Sequence, residues 1–146
     1  MPYHKDPNRK ISVWKFIKDS IGKDLTKITM PAEFNEPCSM LQKISENMEF
    51  HDLLVKANRT QEKAMRMVLV AAFNISQYAS TEGRLSKPFN PILGETFEMR
   101  RMGFDYIAEQ VSHHPPISAC HAMNRDKDYE YWMNSYVKTA FWGTSF

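Results

Sequence analysis

The sequence has few cysteines and no long apolar run, and each shortage narrows what the protein can be. Its two cysteines, Cys38 and Cys120, stand far apart and match neither a disulfide framework nor a metal-ligand spacing. We therefore expect two reduced, partly buried thiols, which favours the cytosol. No apolar stretch reaches the roughly 18 residues that a transmembrane helix needs, and residues 1–10 lack the apolar core of a signal peptide. Any contact with a membrane is therefore expected to be peripheral.

The chain also lacks a strong excess of charge of one sign, since its formal net charge is only +2. The charge is unevenly distributed, because residues 1–30 hold seven Lys or Arg against three Asp, which makes that segment +4 and the remainder −2. A basic excess beside apolar residues suits the surface of an anionic membrane, although a solvated face is the simpler explanation for any one lysine. We expect no nucleic-acid partner.

At 146 residues and 42% hydrophobic content, the chain has the composition of one globular domain, with no internal repeat or linker. A short amphipathic helix is predicted over residues 11–21, where apolar residues step by three, three and four. Such a helix can cover an apolar opening or lie in a membrane interface, and packing on its own domain is the simpler alternative. Its apolar residues are Ile11, Trp14, Ile17 and Ile21.

Two further helices are predicted between residues 37 and 82. Pro37 suits the first position of a helix that runs to about Asn58, and Thr60 is a candidate cap for the second helix. The middle of the second helix, Met67 to Phe73, is apolar on every side. This helix is therefore expected to be the more deeply buried of the pair.

After Gly83 the pattern changes from helical spacing to loops and alternation. The segment from Lys87 to Gly94 contains two prolines and a glycine and is predicted to be irregular. Four antiparallel strands follow between about residues 95 and 138, and Phe104, Tyr106 and Ala108 lie on one face of the second strand. Two helices and a short lid do not cover both faces and both edges of such a meander. The chain is therefore expected to be one part of a larger sheet.

The densest chemical signal is the string EQVSHHPP, residues 109–116, at the end of a predicted strand. Adjacent histidines on a regular strand point to opposite faces, so binding of one metal ion by both is disfavoured. At a strand end that enters a Pro-Pro turn, His113 and His114 can reach one polar pocket. Imidazoles can donate hydrogen bonds to a phosphate, and Lys87 supplies a further cation. A phosphorylated headgroup is therefore a candidate ligand, although a His-His pair is more often structural.

The string EQVSHHPP resembles the signature of the oxysterol-binding-protein-related family. The string KPFNPILGE, residues 87–95, resembles a second hallmark of the same family, and Phe141-Trp142-Gly143 resembles a weaker third. The resemblance extends to the segments around Trp14 and Pro31, so it covers the chain from about residue 11 to residue 146.

The resemblance implies an α+β fold, in which an N-terminal lid helix and two helices precede antiparallel strands of an incomplete antiparallel β-barrel with a lipid tunnel. It divides the chain into a disordered leader, residues 1–10, and the N-terminal portion of the family's lipid-binding domain, residues 11–146. The expected ranges are about 11–30 for the lid, about 37–82 for the helices and about 95–138 for the strands. Because the family's domain continues further, the chain is expected either to be truncated or to need a partner that completes the barrel. By itself it is expected to bind lipid poorly or not to fold.

Members of this family carry a sterol or another lipid between membranes and exchange it for phosphatidylinositol 4-phosphate, so the resemblance implies lipid binding and non-vesicular transfer. The implied partners are the lipid itself and anionic membranes touched peripherally, with no cofactor and no metal. The resemblance assigns headgroup contacts to Lys87, His113 and His114 and lid contacts with the lipid tail or sterol to Trp14, Ile17, Ile21 and Leu25. Gln77 or Tyr78 is a candidate for contact with a sterol hydroxyl.

Several alternatives stay open on the residues alone. A lipase or phosphatase would use His113 or His114 as base with Ser112 or Glu109, but this serine lacks the flanking glycines of a nucleophile elbow. A metal site would need a third ligand such as His121, which is more simply an ordinary strand residue. The segment 49–53 faintly resembles peptides that bind tethering proteins, although it lies within a predicted helix. A lipid sensor or a non-functional truncated fragment completes the alternatives.

Overall fold

A computed structural model of the chain describes residue 32, residues 35–84 and residues 86–136. Strand β1, Asn35–Ser39, comes first and leads into helix α1, Met40–Ser45. Helices α2, Asp52–Arg59, and α3, Lys63–Ser76, follow, and 3-10 turns occupy Glu46–Met48 and Gln77–Thr81. The remaining strands of the described part are β2, Lys87–Phe89, β3, Thr96–Arg101, β4, Phe104–Ser112, β5, Ile117–Asn124, and β6, Glu130–Tyr136.

The strands of the described residues form two sheets. β1 and β2 pair in parallel, while β3, β4, β5 and β6 form an antiparallel meander in chain order. The hairpin between β3 and β4 closes through Met102 and Gly103, whose φ angles are 56° and 82°. Two residues in the left-handed region match the right-handed twist of the flanking strands. Helices followed by an open antiparallel sheet confirm the predicted α+β fold class.

One face of the meander packs against the helices and forms the core. Phe104, Tyr106 and Ala108 alternate on the buried face of β4, as predicted. An edge-to-face contact between the rings of Phe73 and Tyr131, with centroids 5.6 Å apart, joins α3 to β6. The other buried members of the cluster are Leu41, Ile44, Met48, Cys120 and Ala122.

The helix predicted from Pro37 to about Asn58 begins later than expected and is divided into two. Pro37 lies inside β1, and α1 starts at Met40 because Ser39 caps it. The Ser39 Oγ accepts a hydrogen bond from the backbone N–H of Gln42, and the Gln42 side chain accepts one from the backbone N–H of Ser39. This reciprocal capping box outweighs the preference of proline for a helix start. The prediction that Thr60 caps the second helix is also wrong, because Thr60 follows the last residue of α2 and the Glu62 side chain caps α3.

The expected deep burial of α3 is wrong for the described part of the chain. Phe73 is buried, but Met67 is 74% exposed and Val68 and Ile75 are also exposed. The helix packs against α2 and reaches the meander through Phe73, and no other described element covers most of its apolar surface. Apolar composition creates a tendency to be buried, but burial itself requires a second surface.

The segment from Lys87 to Gly94 was expected to be wholly irregular, yet its first three residues form β2. Asn35 pairs with Lys87 and Ser39 with Phe89. Proline lacks the N–H that a central strand must donate, but it is tolerated in an edge strand. Both strands of a two-stranded sheet are edges, so the proline in each strand is accommodated.

Both cysteines are free, as predicted, and lie on different sheets: Cys38 is partly buried on β1 and Cys120 is buried on β5. Burial raises the pKa of each thiol, which keeps it protonated and unreactive. Within the described residues, no helix combines the length and the apolar character that a membrane crossing requires.

A cluster of ion pairs fastens β1 to α1 and to the 3-10 turn after α3. The Arg84 guanidinium donates hydrogen bonds to the carboxylates of Glu36 and Glu46 and to the carbonyl oxygen of Ser80. Lys43 also binds Glu46 and Ser80. Burial raises the pKa of Glu46, but hydrogen bonds and charge from Arg84 and Lys43 lower it by more, so its pKa lies below the ordinary value. Because Glu36 is only 5% exposed, its charge depends on this arginine.

Replacing Arg84 with methionine should lower the free energy of unfolding by about 3 kcal/mol, because it leaves the buried Glu36 carboxylate without a cation. Arg125→Met is the matched control, since Arg125 pairs with Asp105 where both side chains are more than half exposed. That loss should stay below about 1 kcal/mol. Urea denaturation measures both values, and equal losses would contradict the assigned role of the cluster.

His51 closes the space between α2 and the meander. Its ring lies edge-to-face on Phe104, with centroids 4.8 Å apart, and its Nδ1 is buried without a hydrogen-bond partner among the described residues. Burial lowers the pKa of His51 below its ordinary value of 6.5, although the neighbouring Asp52 acts in the opposite direction. The neutral imidazole is therefore the form that the fold favours.

The protein should lose stability as the pH falls below about 6.5, because the unfolded chain then takes up a proton at His51 that the folded chain resists. The His51→Phe variant keeps an aromatic ring against Phe104 but cannot titrate. Urea denaturation at about pH 7.5 and about pH 5.5 should therefore show a smaller loss for the variant than for the parent. An equal or larger loss in the variant would show that His51 does not contribute.

Candidate functional site

Strand β4 ends in a β-bulge immediately before the two adjacent histidines. Gln110 and Ser112 lie opposite consecutive residues of β5, so Val111 is the extra residue on β4. A bulge bends its strand and re-aims the side chains that follow it. The bulge therefore sets the direction in which the chain leaves the sheet toward His113 and His114, the histidine pair.

The histidine pair lies in the turn between β4 and β5, and both residues are exposed. The two ring centroids are 4.6 Å apart and the ring planes meet at 67°. The following peptide bond, between His114 and Pro115, is cis. Neither imidazole has a hydrogen-bond partner among the described residues, so both rings can donate to an anion that approaches from solvent.

Gln110 is buried beneath the bulge, with 2% of its surface exposed. Its side-chain NH₂ donates to the carbonyl oxygen of Ser112 over 2.9 Å, and the Ser118 hydroxyl donates to its side-chain oxygen over 2.5 Å. A carbonyl can only accept, so the side-chain nitrogen must face Ser112. The sequence analysis assigned Gln110 no role. The sequence did contain a signal for it: Gln110 is the next residue, at a spacing of two, on the face of β4 that Phe104, Tyr106 and Ala108 bury. A polar residue at such a buried position must find hydrogen-bond partners inside the protein.

The main chain of Gln110 holds the segment that follows Lys87. The backbone N–H of Gly94 donates to the carbonyl of Gln110 over 2.9 Å, and the N–H of Gln110 donates to the carbonyl of Glu95 over 3.0 Å. Lys87 itself is exposed on β2, where its Nζ donates to Asn90 Oδ1 over 3.0 Å. The structure thus brings the two imidazoles together, places Lys87 on a different sheet, and connects the two motif segments through Gln110.

Gln77 and Tyr78, the residues predicted to meet a sterol hydroxyl, lie in the 3-10 turn after α3. The Gln77 side chain lies near the hydroxyl of Tyr131 on β6. Burial raises the pKa of Tyr131, and the polar side chains of Asn47 and Gln77 partly offset that effect. Tyr78 instead projects outward and is 75% exposed. The two neighbours therefore have different surroundings in the described structure.

The exposed apolar side of α3 is a surface that the sequence analysis did not single out as functional. Its members can contact hydrocarbon, because apolar side chains gain by leaving water for any apolar environment. The predicted lid, residues 11–30, with Trp14, Ile17, Ile21 and Leu25, lies outside the described residues, as does the Phe141-Trp142-Gly143 segment. The large exposed apolar residues of α3 are Met65, Met67, Val68, Val70 and Ile75.

The residues of the alternative hypotheses are placed as follows. Ser112 ends β4, and its carbonyl is held by Gln110. His121 lies within β5, where its Nε2 is 2.8 Å from the Glu130 carboxylate. Within the described residues, no group of three His, Cys, Asp or Glu side chains is arranged to hold a metal ion. Residues 49–51 form the turn before α2, so only residues 52 and 53 of this segment are helical, and the His51 ring packs against Phe104 of the meander.

The chain is similar in sequence to known proteins of one family. The oxysterol-binding protein family model matches residues 12–146. Human oxysterol-binding protein-related protein 7 is 46% identical over 148 aligned residues, which cover 99% of this chain and 17% of that protein. Human oxysterol-binding protein-related protein 6 is 51% identical over 138 residues, covering 92% of this chain and 15% of that protein. The chain therefore spans less than a fifth of the length of these relatives.

Solved structures show the same relationship. The Osh1 ORD domain in complex with ergosterol superposes with a TM-score of 0.76 at 42% identity, covering 92% of this chain and 32% of that one. The Osh3 ORD in complex with PI(4)P from Saccharomyces cerevisiae superposes with a TM-score of 0.75 at 42% identity, covering 91% and 36%. The match of the family model and both sets of relatives lead to one conclusion: this chain belongs to the oxysterol-binding protein family.

Proposed function

We propose that the chain forms the headgroup-binding part of a lipid-transfer protein, which exchanges a sterol or related lipid for phosphatidylinositol 4-phosphate. The observation that carries the proposal is the histidine pair, His113 and His114: two exposed imidazoles, side by side on a bulged strand end and without partners among the described residues. Relatives of the same fold bind ergosterol and PI(4)P, which supports both ligand classes.

In this proposal, the histidine pair binds the phosphorylated inositol ring and Lys87 binds a phosphate of the same headgroup. The lid residues contact the lipid tail or sterol, and Gln77 and Tyr78 lie near a sterol hydroxyl. A phosphate can replace Asn90 as the hydrogen-bond partner of Lys87, because the bond from an ammonium group to a charged phosphate is stronger than the bond to a neutral amide. The lid residues meant here are Trp14, Ile17, Ile21 and Leu25.

Lipid transfer needs no chemical reaction if the lipid tail is equally stable in the membrane and in the protein. Removing a methylene from water is favourable by about 0.8 kcal/mol, whether it enters the bilayer or an apolar protein interior. The net cost of moving the tail is then small, and opening of the lid limits the rate. Lys87 and the histidine pair would then provide the selectivity for the headgroup, because an apolar surface cannot distinguish one headgroup from another. We place the protein in the cytosol, in peripheral contact with anionic membranes.

Lys87→Ala and the double variant His113→Ala with His114→Ala should each lower extraction of phosphatidylinositol 4-phosphate from liposomes by at least about tenfold, because charge-assisted hydrogen bonds to the phosphate are lost. Uptake of sterol should largely survive. The measurement uses the longest form of the protein that its gene encodes.

Two matched variants test whether position, rather than the loss of a side chain, matters. Lys63→Ala removes an exposed lysine from α3, and His121→Ala removes an imidazole from the middle of β5. Both should extract phosphatidylinositol 4-phosphate like the parent. Unchanged extraction in the Lys87 and histidine variants would refute the headgroup assignment.

The proposal also excludes turnover of the lipid. Incubation of the protein with phosphatidylinositol 4-phosphate should release neither inorganic phosphate nor fatty acid, since Ser112 is not set for nucleophilic attack and its main chain is engaged by Gln110. Phosphate assay and mass spectrometry of the recovered lipid measure this. Product that accumulates with time and disappears in a His113→Ala variant would favour an enzyme instead.

A further inference from the structure

Gln110 makes four hydrogen bonds, and together they reach both of the segments that carry the proposed headgroup cations. Its side chain binds Ser112 and Ser118. Its main chain binds Gly94 and Glu95 at the end of the segment that begins with Lys87. A single buried residue therefore connects the two family motifs.

The bond from the Gln110 side chain acts on the peptide unit that leads into the histidine pair. The Ser112 carbonyl belongs to the peptide that joins Ser112 to His113, and this peptide is planar. Holding the carbonyl oxygen at 2.9 Å from the amide nitrogen therefore restrains the orientation of the whole peptide plane. That orientation sets where the Cα of His113 lies and so restricts the directions in which its imidazole can project.

The Ser112 carbonyl lies at the irregular end of β4, where Gln110 pairs with Ser118 and Ser112 pairs with Ile117. At the bulge, the register of β4 shifts by one residue, so the ladder bonds that elsewhere hold the strand are interrupted. With 2% exposure, Gln110 also lies where water does not readily take its place. Loss of a buried donor leaves its acceptor unsatisfied, which costs about 1–3 kcal/mol. The chain would relieve this cost by rotating the peptide toward solvent.

We infer that Gln110 is a positioning residue: its buried amide holds the Ser112–His113 peptide and thereby orients the histidine pair for the phosphorylated headgroup. The inference rests on the proposed function for the identity of the ligand. The orientation of the two imidazoles by Gln110 is a separate claim, which can be tested without any lipid.

The test compares Gln110→Met with Ser118→Ala in the longest encoded form of the protein. Methionine keeps the length of the side chain but cannot donate to Ser112. The Ser118 variant removes the other side-chain bond of Gln110 and leaves the donation to Ser112 intact, so it controls for a general loss of stability. Urea denaturation checks that the two variants are folded and similarly destabilised.

We expect Gln110→Met to lower extraction of phosphatidylinositol 4-phosphate from phosphatidylcholine vesicles by about tenfold, with sterol uptake within about twofold of the parent. Ser118→Ala should extract both lipids like the parent. In lipid-free protein, the imidazole C–H resonances of His113 and His114 should shift in Gln110→Met and stay in place in Ser118→Ala.

Equal effects of the two variants on extraction and on the imidazole resonances would overturn the inference, since Gln110 would then be a structural residue only. Unmoved resonances in Gln110→Met would also overturn it. If the double histidine variant extracts phosphatidylinositol 4-phosphate normally, the proposed function fails, and shifted resonances in Gln110→Met alone would still support the orienting role of Gln110.

Discussion

The described structure depends on the pairing of strand β4, which is hydrogen bonded to β3 on one side and to β5 on the other. One face of this strand supplies Phe104, Tyr106 and Ala108 to the core, and its end carries the bulge and the histidine pair. Because both sides of β4 are paired, its main chain has little freedom to move. A shift in its register would expose the core residues and displace the site together.

In the proposed function, the polar headgroup and the apolar part of the lipid are bound by different parts of the structure. Lys87 and the histidine pair, which we propose to bind the headgroup, lie on strand β2 and in the turn directly after β4, while α3 presents an apolar surface on the same unit. Headgroup recognition needs fixed donors, because a mobile donor loses entropy when it binds. The hydrophobic effect is not directional, so an apolar helix surface can bind hydrocarbon without fixed side-chain geometry.

The errors of the sequence analysis have physical causes in particular residues. Pro37 was placed at a helix start, but the reciprocal bonds of Ser39 and Gln42 decide where α1 begins. Met67 was placed in the interior because its neighbours are apolar, although burial depends on a second surface that lies outside its own helix. Pro88 predicts irregular structure, but an edge strand accepts a residue without an N–H.

Motifs and periodicities are local properties of the chain, so the sequence is enough to predict the family, the α+β class, the alternation of β4 and the adjacency of His113 and His114. Only the folded structure shows that the Gln110 side chain meets Ser112 and Ser118, that Arg84 joins Glu36 to Glu46, and that the described elements leave much of the apolar surface of α3 exposed. These are contacts between segments far apart in the chain or across a bulge. They depend on register and packing, which no local pattern of residues encodes.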